Sequence, residues 1–454
     1  MNSTLIQKYN IPGPRYTSYP TVPFWDKEGI AIDDWKKTVV KSFNESNDSE
    51  GISVYIHLPF CESLCTFCAC HKKITKRHDE VEQPYIETVL KEWDLYCDLL
   101  GKRPKIREIH LGGGTPTFFS SENLKKLING IFKRADKFEI FDFSYEGHPN
   151  HTSEEQLQTL YDLGSRRNSF GIQDYDPIVQ KAIHRVQSFE QVKKVHDLSR
   201  KIGYESISHD LIFGLPFQTE ESIRNTIKNT IALKPDRIAY YSYAHVPWIK
   251  GVGQRGFEDH DLPKDHEKRH LYELGKQLFF EAGYVEIGMD HFALPSDSLH
   301  KALKAKKLHR NFMGYTAGKT ELMVGLGMSS ISDSWYAFAQ NEKEIDDYTE
   351  RVNKGELPVF RGHLLTDTDL VIRKHILNLM CNLETEWNSG LTSQVKSEII
   401  ERLGEIIGYG LIEVSDTKIT VKEEGRMFVR NICMAFDLRL AENQPDIRIF
   451  SMTI

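Results

Sequence analysis

The sequence predicts an α/β fold built on a parallel sheet, and two observations support this class. Between residues 52 and about 245, short apolar runs alternate with amphipathic helical segments. The runs are dense in Ile, Val, Phe and Tyr and read ISVYIHL, EIHLGG, FDFSYEG, RRNSFGIQ, SISHDLIFG and DRIAYYSYA. Such alternation is typical of parallel sheets with right-handed crossovers. Six units are fewer than the eight that close a full barrel, so a partial barrel and an open sheet both fit.

The helical segments between these strands carry start and stop signals. Capping boxes begin two of them and glycines end both. The residues concerned are Thr152 with Glu155, Gly164, Ser188 with Gln191, and Gly203. In a parallel sheet of this kind, we expect the site at the carboxyl ends of the strands.

The chain outside the alternating region divides into further segments. Residues 1–50 contain NIPGPRYTSYPTVPFW and predict an irregular arm that either packs over a domain or covers a site, since prolines exclude regular elements. The central domain covers 51–360, with a helix near 264–282. The segment 361–454 predicts a mainly helical domain whose hairpin, LIEVSDTKITVK, makes it resemble a winged helix.

Composition narrows the class of protein. The 454-residue chain has 40% hydrophobic residues, which is typical of a globular protein, and a net charge of −7, which argues weakly against a nucleic-acid partner. The first residues lack the pattern of a signal peptide, and no apolar run is long enough to span a membrane. We therefore expect a cytoplasmic protein with reduced thiols.

Four of the seven cysteines lie in CESLCTFCAC, directly after the first predicted strand. In a reducing compartment, such a cluster indicates metal binding or catalysis rather than disulfides. Zinc is the ordinary alternative, but structural zinc sites draw on two separated ligand pairs and no second pair follows. The spacing C-x3-C-x2-C of Cys61, Cys65 and Cys68 instead suits three irons of a [4Fe–4S] cluster, with the fourth iron open. This spacing after a first strand resembles the signature of radical S-adenosylmethionine (SAM) enzymes.

Polar and glycine residues at the other strand ends are further site candidates. LGGGTPT follows the second strand, and its side-chain-free Gly113 and Gly114 would let a ligand approach the backbone. Glu146 ends the third strand and Gln173 ends the fourth. Asp210 lies within the fifth strand, where a buried carboxylate needs a partner.

The resemblance becomes specific over nearly the whole chain. GPRYTSYPT, YIHLPFC, LGGGTPT, DLIFGLP, GMDHFA, LHRNFMGYT and RNICMAFD resemble the oxygen-independent coproporphyrinogen III oxidase family of radical SAM enzymes. This resemblance implies a partial (β/α)6 barrel, an N-terminal arm over the active site and a helical C-terminal domain. It also implies that cleavage of bound SAM gives a 5′-deoxyadenosyl radical.

Carried over position by position, the resemblance implies three sets of site residues. The cluster ligands would be Cys61, Cys65 and Cys68. A first SAM would be lined by Tyr55, Gly113, Glu146 and Ile331. A second SAM would be lined by Phe67, Gly114, Thr115, Gln173, Arg185, Asp210 and Ala244. Cys70 matches a family cysteine that is not a cluster ligand.

Three positions depart from the family pattern. Residues 146–149 read EGHP rather than Glu-x-Asp/Asn-Pro, Ala69 replaces a usual glycine, and Asn168 replaces an aliphatic residue. The departures place the local geometry near Glu146 and the fourth strand in question, but not the reaction class.

The implied reaction converts two propionates of coproporphyrinogen III to vinyl groups in anaerobic haem biosynthesis, giving protoporphyrinogen IX. A substrate with four carboxylates needs cationic contacts, for which Arg15, His309 and Arg310 are candidates. The implied partner is an electron donor such as flavodoxin or ferredoxin, and the family is monomeric. The alternative is a haem-trafficking chaperone on the same fold, although those relatives typically lack the C-x-C extension and the arm.

Overall fold

The computed structural model describes residues 3–26, 28–246, 254, 256–387, 390–443 and 450–453. Parts of the predicted arm and C-terminal segment, at residues 1, 2, 27, 388, 389, 444–449 and 454, therefore lie outside the described residues. Among the described residues, no helix is both long and apolar enough to cross a membrane.

The β-strands are numbered in the order in which they occur along the chain. They are β1 Ile52–Leu58, β2 Phe60–Cys61, β3 Lys73–Ile74, β4 Lys105–Gly113, β5 Asp136–Gly147, β6 Arg167–Gln173, β7 Ser206–Phe213, β8 Arg237–Ser242, β9 Val285–Gly288, β10 His291–Ala293, β11 His309–Asn311, β12 Gly314–Thr316, β13 Met323–Leu326, β14 Ile331–Asp333, β15 Ala337–Asn341, β16 Val359–Leu364, β17 Glu384–Glu386, β18 Ile412–Val414 and β19 Lys418–Val421.

The α-helices connect and cover these strands. They are α1 Ser3–Tyr9, α2 Ile32–Ser46, α3 His78–Leu100, α4 Ser121–Arg134, α5 Glu154–Asp162, α6 Pro177–Ala182, α7 Phe189–Ile202, α8 Glu220–Leu233, α9 Asp265–Glu281, α10 Ser298–Lys304, α11 Ile345–Asn353, α12 Asp367–Asn382, α13 Ser393–Gly408, α14 Val429–Phe436 and α15 Leu438–Glu442.

The main sheet confirms the six predicted strands, which are β1, β4, β5, β6, β7 and β8. The sheet has twelve strands in the order β16-β15-β14-β13-β1-β4-β5-β6-β7-β8-β10-β9. The section from β13 to β8 is parallel. Its two ends, β16 and β9, do not pair with each other in the described part of the chain, so the sheet is open as a partial barrel is.

The two faces of this sheet differ in polarity because alternate residues point to opposite sides. The outer face carries residues such as Ile109, Phe143 and Phe170, which pack in the main hydrophobic core. The inner face carries polar residues such as Glu108 and Arg167. The hairpin of β11 and β12 contributes Met313, Tyr315 and Thr316 to the same inner cavity.

The two predicted capping boxes have different outcomes. The predicted capping box at Thr152 and Glu155 is displaced by one residue, because Ser153 and Gln156 form it in the structure. The box at Ser188 and Gln191 is confirmed.

The predicted irregular arm contains a 15-residue helix, α2, that was missed. Trp35, Val39 and Phe43 recur at four-residue spacing and are buried in the main core. The prolines at 12–23 had suggested irregular structure for the whole arm, but they precede this helix.

The predicted helix near 264–282 and the hairpin of β18 and β19 are confirmed. The hairpin gains a third strand, β17, which pairs with β19. Helices α12, α13 and α14 form a second core with this sheet, and Tyr16 and Tyr19 of the arm are buried in it.

Candidate active site

The predicted cluster cysteines lie on the loop that follows β1, at the carboxyl edge of the parallel strands. Two hydrogen bonds from Thr66 fix this loop to the end of α6: its N–H donates to the Ile183 carbonyl at 3.1 Å and its hydroxyl to the Ala182 carbonyl at 3.2 Å. The Lys72 ammonium donates to the carbonyls of Cys68 and Cys70 at 3.0 and 3.3 Å. The loop is thereby held in shape by the protein alone.

Each of the three thiols has a hydrogen-bonding neighbour. The Cys61 thiol lies 3.2 Å from the Thr115 hydroxyl, and an Arg185 N–H donates to the Cys65 sulfur at 3.6 Å. A hydrogen bond with Cys70 lowers the pKa of Cys68 and raises the pKa of Cys70. The lowered pKa favours the thiolate form of Cys68, which is the form that binds iron.

The thiols suit a cluster better than a single ion. Among the described residues, no three His, Cys, Asp or Glu side chains converge as the ligands of one metal ion would. Cys61, Cys65 and Cys68 instead line one cleft. Cysteine thiolates are the usual ligands of a [4Fe–4S] cluster, and hydrogen bonds to sulfur tune such a cluster. The residues therefore fit the predicted cofactor.

This cleft, which we call the cluster cleft, brings most of the predicted site residues together. Its lining includes Cys61, Cys65, Phe67, Cys68, Gly113, Gly114, Thr115, Glu146, Gln173, Arg185 and Asp210. The cleft also has lining residues that the sequence did not single out, among them Lys72, His148, His151 and Gly171. The basic run after Cys70 was a signal for Lys72, whereas nothing in the sequence distinguished Gly171.

Three predicted SAM residues lie outside the lining of this cleft. The ring of Tyr55 packs edge-on against Phe312 at 4.8 Å, and its hydroxyl lies 3.1 Å from His57 Nδ1. Ile331 packs in a small cluster with Trp25 and Phe338. The Ala244 carbonyl accepts a hydrogen bond from Gln254 at 2.8 Å.

The glycines after β4 are required by the chain itself. A Cβ at Gly114 would lie 2.5 Å from the Pro59 carbonyl oxygen, and one at Gly113 would lie 2.7 Å from the His57 ring. Backbone N–H groups of Gly114 and Thr115 donate to Leu58 and Phe60 at 2.8 and 3.0 Å. The glycines therefore let the β4 turn lie against the start of the cluster loop, and both also line the cluster cleft, where the sequence predicts contact with a ligand.

The far wall of the cleft carries an acidic pair and an unpaired donor. Burial, followed by repulsion from Glu146, raises the pKa of Asp210 to about 7, and the Ser169 hydroxyl donates to Asp210 at 2.9 Å. The Nε–H of Arg185 is buried and has no hydrogen-bond partner among the described residues. Gln173 has a φ of +67°, a strained conformation that is common at functional sites. This wall can bind a ligand that is both cationic and carboxylate-bearing.

The departures at residues 146–149 and 69 leave the cleft intact. His148 Nδ1 accepts the Asn150 N–H at 3.1 Å, so it caps the short turn Pro149–His151. Burial lowers the pKa of His148, which keeps it neutral as this acceptor role requires. The backbone at Ala69 is outside the left-handed region, so the extra methyl group causes no backbone strain.

A second, inner cavity continues from the cluster cleft along the inner face of the sheet. Glu146 and Asp210 line both spaces. Arg167 and Arg237 also line the inner cavity, and each is paired with a carboxylate: Arg167 with Asp142 at 2.6 Å, and Arg237 with Asp297 at 2.9 Å.

None of the three predicted substrate residues is among the residues that line this cavity, but Arg310 is paired with Tyr315, which does line it. The Arg310 guanidinium lies over the Tyr315 ring, 4.6 Å from its centroid, and is buried; its Nε and Nη1 have no hydrogen-bond partner in the part of the chain that the structure describes. Arg15 is paired with Asp290, and its carbonyl accepts from Arg310 at 3.2 Å. Burial and the charge of Arg373 lower the pKa of His309 to about 3, so His309 is neutral near pH 7.

Comparison with known proteins agrees with this geometry. Residues 55–229 match the radical SAM superfamily. An oxygen-independent coproporphyrinogen III oxidase from Helicobacter pylori J99 is 37% identical over 441 residues, covering 95% of each chain. The Pseudomonas aeruginosa PAO1 protein of the same name is 36% identical over 445 residues, covering 96% of this chain and 95% of that protein. The structure of coproporphyrinogen III oxidase (HemN) from Escherichia coli, described as a radical SAM enzyme, matches with a TM-score of 0.89. It is 32% identical and covers 96% of this chain and 98% of that one.

Proposed function

Because the chain belongs to the oxygen-independent coproporphyrinogen III oxidase family of radical SAM enzymes, we propose that it decarboxylates two propionates of coproporphyrinogen III in anaerobic haem biosynthesis. It is an oxidoreductase whose cofactors are a [4Fe–4S] cluster and SAM. In the proposed reaction, each propionate loses one β-hydrogen atom, CO2 and one electron, and a vinyl group remains. The observation that carries the proposal is the cluster cleft, in which three thiols and an acidic wall adjoin the inner cavity.

The chain's own residues would divide the work of holding the cofactors. Cys61, Cys65 and Cys68 would bind three irons. When bound, the cluster and SAM supply a radical that abstracts hydrogen. Glu146 and Asp210 would face the cationic part of SAM, and Arg185, whose Nε–H has no partner, would bind a carboxylate. The other proposed contacts are Tyr55, Phe67, Gly113, Gly114, Thr115, Gln173, Ala244 and Ile331.

The inner cavity would hold the tetrapyrrole. Arg310 is the best candidate for a propionate contact because its buried guanidinium lies against Tyr315 of the cavity lining and has two N–H groups without partners among the described residues. A neutral His309 cannot supply the charge, and Arg15 already has a carboxylate partner, so Arg15 would act by holding Arg310.

Location and assembly are also part of the proposal. All seven cysteines are free thiols, which supports a reducing cytoplasmic compartment. We propose that the protein acts as a monomer, as the family resemblance implies, and that a small redox protein, such as flavodoxin or ferredoxin, is the electron donor.

The test is anaerobic incubation of reconstituted protein with SAM, dithionite and coproporphyrinogen III. We expect protoporphyrinogen IX and two CO2 for each substrate consumed. Cys65→Ala should lose the iron and the activity, whereas Cys97→Ala, which alters a buried thiol of the main core, should keep both. Stoichiometric haem binding without a vinyl product would contradict the proposal.

A further inference from the structure

The short strand β3, which follows the cluster loop, places exposed residues close to Cys61, a predicted cluster ligand. β2 and β3 run parallel, and Ile74 is paired with Cys61. The Thr75 N–H donates to the Cys61 carbonyl at 3.0 Å. Because paired strands lie about 4.8 Å apart, the Ile74 side chain, which is 46% exposed, is a surface group one strand away from Cys61.

This surface is basic with exposed apolar side chains. Residues 71–77 read HKKITKR, with four cations, one histidine and no carboxylate. Phe360 is 51% exposed, and the Lys343 ammonium lies 5.3 Å from its ring centroid. The ion pair between Lys73 and Glu344, the residue directly after Lys343, joins residues 71–77 to this second part. We call residues 71–77, Lys343 and Phe360 the β3 face.

The carboxylates near the β3 face neutralise only part of its charge. Lys73 forms an ion pair with Glu344, and Arg77 forms one with Glu80 at 3.3 Å. The side chains of both pairs are exposed. Exposed pairs of this kind are weak. Lys76 is exposed and makes no ion pair with the residues that the structure describes.

The β3 face also lies outside the cluster cleft. Of its described residues, only Lys72 is part of the cleft lining, whereas Ile74, Lys76 and Phe360 are not. A protein bound to this face would therefore leave the cleft open for SAM and for the substrate.

We propose that the β3 face docks the protein that delivers electrons to the cluster, and that this partner is a small acidic redox protein. The inference rests on the proposed function, because only a redox cluster needs such a partner. One electron leaves the partner's flavin or iron–sulfur centre and enters the cluster, with no bond formed or broken and no proton transferred. Opposite charge would steer the encounter, and Ile74 and Phe360 would supply the apolar centre of a small transient interface.

The test compares two charge-reversal variants of equal net charge. Lys76→Glu/Arg77→Glu reverses the β3 face, and the change should be tolerated because acidic residues are favourable at the start of α3. Lys125→Glu/Lys228→Glu reverses two exposed lysines in the middle of α4 and α8. Reduction of the cluster is followed by anaerobic stopped-flow absorbance without substrate, using reduced flavodoxin, reduced ferredoxin or dithionite.

We expect at least one protein donor to reduce the β3-face variant about 10-fold or more slowly than the wild type at low salt, and the wild-type rate to fall as salt rises. Dithionite should reduce all three proteins equally. Equal rates in the wild type and the β3-face variant with both donors would overturn the proposal, as would equal slowing in the control. Vinyl product formation with dithionite tests the proposed function separately, so the two failures are distinguishable.

Discussion

The guanidinium of Arg185 joins the cluster loop to β6, because Nη1 donates to the Cys65 sulfur at 3.6 Å and Nη2 to the Gly171 carbonyl at 2.6 Å. A cationic donor stabilises negative charge on sulfur, and a cluster gains negative charge when it is reduced. The same side chain lines the cluster cleft, so it can influence both the cluster and a ligand.

The first prediction therefore concerns Arg185→Gln. Loss of the cation should make the cluster's reduction potential more negative, by about 59 mV for each ~1.4 kcal/mol of lost stabilisation, and should weaken SAM binding. The measurements are a redox titration and equilibrium SAM binding by the reconstituted protein. Arg224→Gln on α8, which removes a surface partner of Glu220, is the control. An unchanged potential together with unchanged SAM affinity would rule out this role for Arg185.

The second prediction concerns Arg310, whose buried Nε–H and Nη1–H groups have no partner among the residues that the structure describes. A charge-assisted hydrogen bond contributes ~1.5–3 kcal/mol, so Arg310→Gln should raise KM for coproporphyrinogen III by about 10- to 150-fold, with a smaller effect on kcat. Arg310→Lys keeps the charge and should recover part of the affinity. Lys301→Gln on α10 alters an exposed lysine of the KALKAKK run and should have wild-type KM. A folded Arg310→Gln protein with wild-type KM would exclude Arg310 as a propionate contact.

The sequence predicted the parallel strands and much of the site for the same physical reason. Strand ends of a parallel sheet meet at one edge, so Cys61, Glu146 and Asp210 could be placed together from their positions alone. Hydrophobic runs also identified every strand from β4 to β8, because their outer-face residues are buried by helices.

Contacts between distant segments could not be predicted in this way. β13 extends the parallel section by pairing with β1, although more than 260 residues separate them. The sequence named Arg310 as a candidate substrate contact. It could not show that Arg310 Nε and Nη1 lack partners among the described residues, because this depends on the packing of segments that are distant in the sequence. The helix α2, in contrast, could have been predicted from the sequence, because its apolar residues recur at four-residue spacing. The prolines that precede it led to the prediction of an irregular arm instead.

The third prediction concerns acid stability and the buried histidines His196 and His209. His196 Nδ1 lies 3.2 Å from His209 Nε2. Burial lowers the pKa of His196 from 6.5 to about 4 and lowers the pKa of His209 well below 6.5. The unfolded chain therefore binds more protons than the folded one below pH 6.5, so stability should fall on acidification by up to ~1.4 kcal/mol per pH unit for each histidine.

The experiment compares the Tm at pH values above and below this range. His196→Gln/His209→Gln should lose less Tm on acidification than the wild type, because its glutamines do not titrate. His270→Gln replaces an exposed histidine of α9 and should follow the wild type. If the double variant were as acid-sensitive as the wild type, other groups would have to account for the acid lability.

The fourth prediction compares Asn168 and Ser169, which are neighbours on opposite faces of β6. Asn168 faces the helices, where its amide donates to the Ser199 hydroxyl at 3.0 Å and its Oδ1 is buried without a partner. The same amide donates to the Tyr145 hydroxyl at 3.4 Å. Loss of the amide would leave both hydroxyls with other partners, because Ser199 also donates to the Val195 carbonyl and Tyr145 donates to the Tyr204 hydroxyl. Asn168→Leu should therefore leave the Tm unchanged or raise it, whereas Asn168→Asp would bury a charge and lower the Tm. Neither change should alter the KM for SAM.

Ser169→Ala should have the opposite pattern. Ser169 faces the inner cavity and donates to Asp210 at 2.9 Å, a bond that opposes the burial-driven rise in the pKa of Asp210. Its loss should leave Asp210 protonated to a higher pH, weaken SAM binding near neutral pH and change the Tm little. Affinity for SAM measured across a pH series distinguishes this from a structural role, because only a shifted Asp210 pKa displaces the profile to higher pH. If Asn168→Leu lowered SAM affinity as much as Ser169→Ala did, the separation of the two faces into a structural side and a functional side would be wrong.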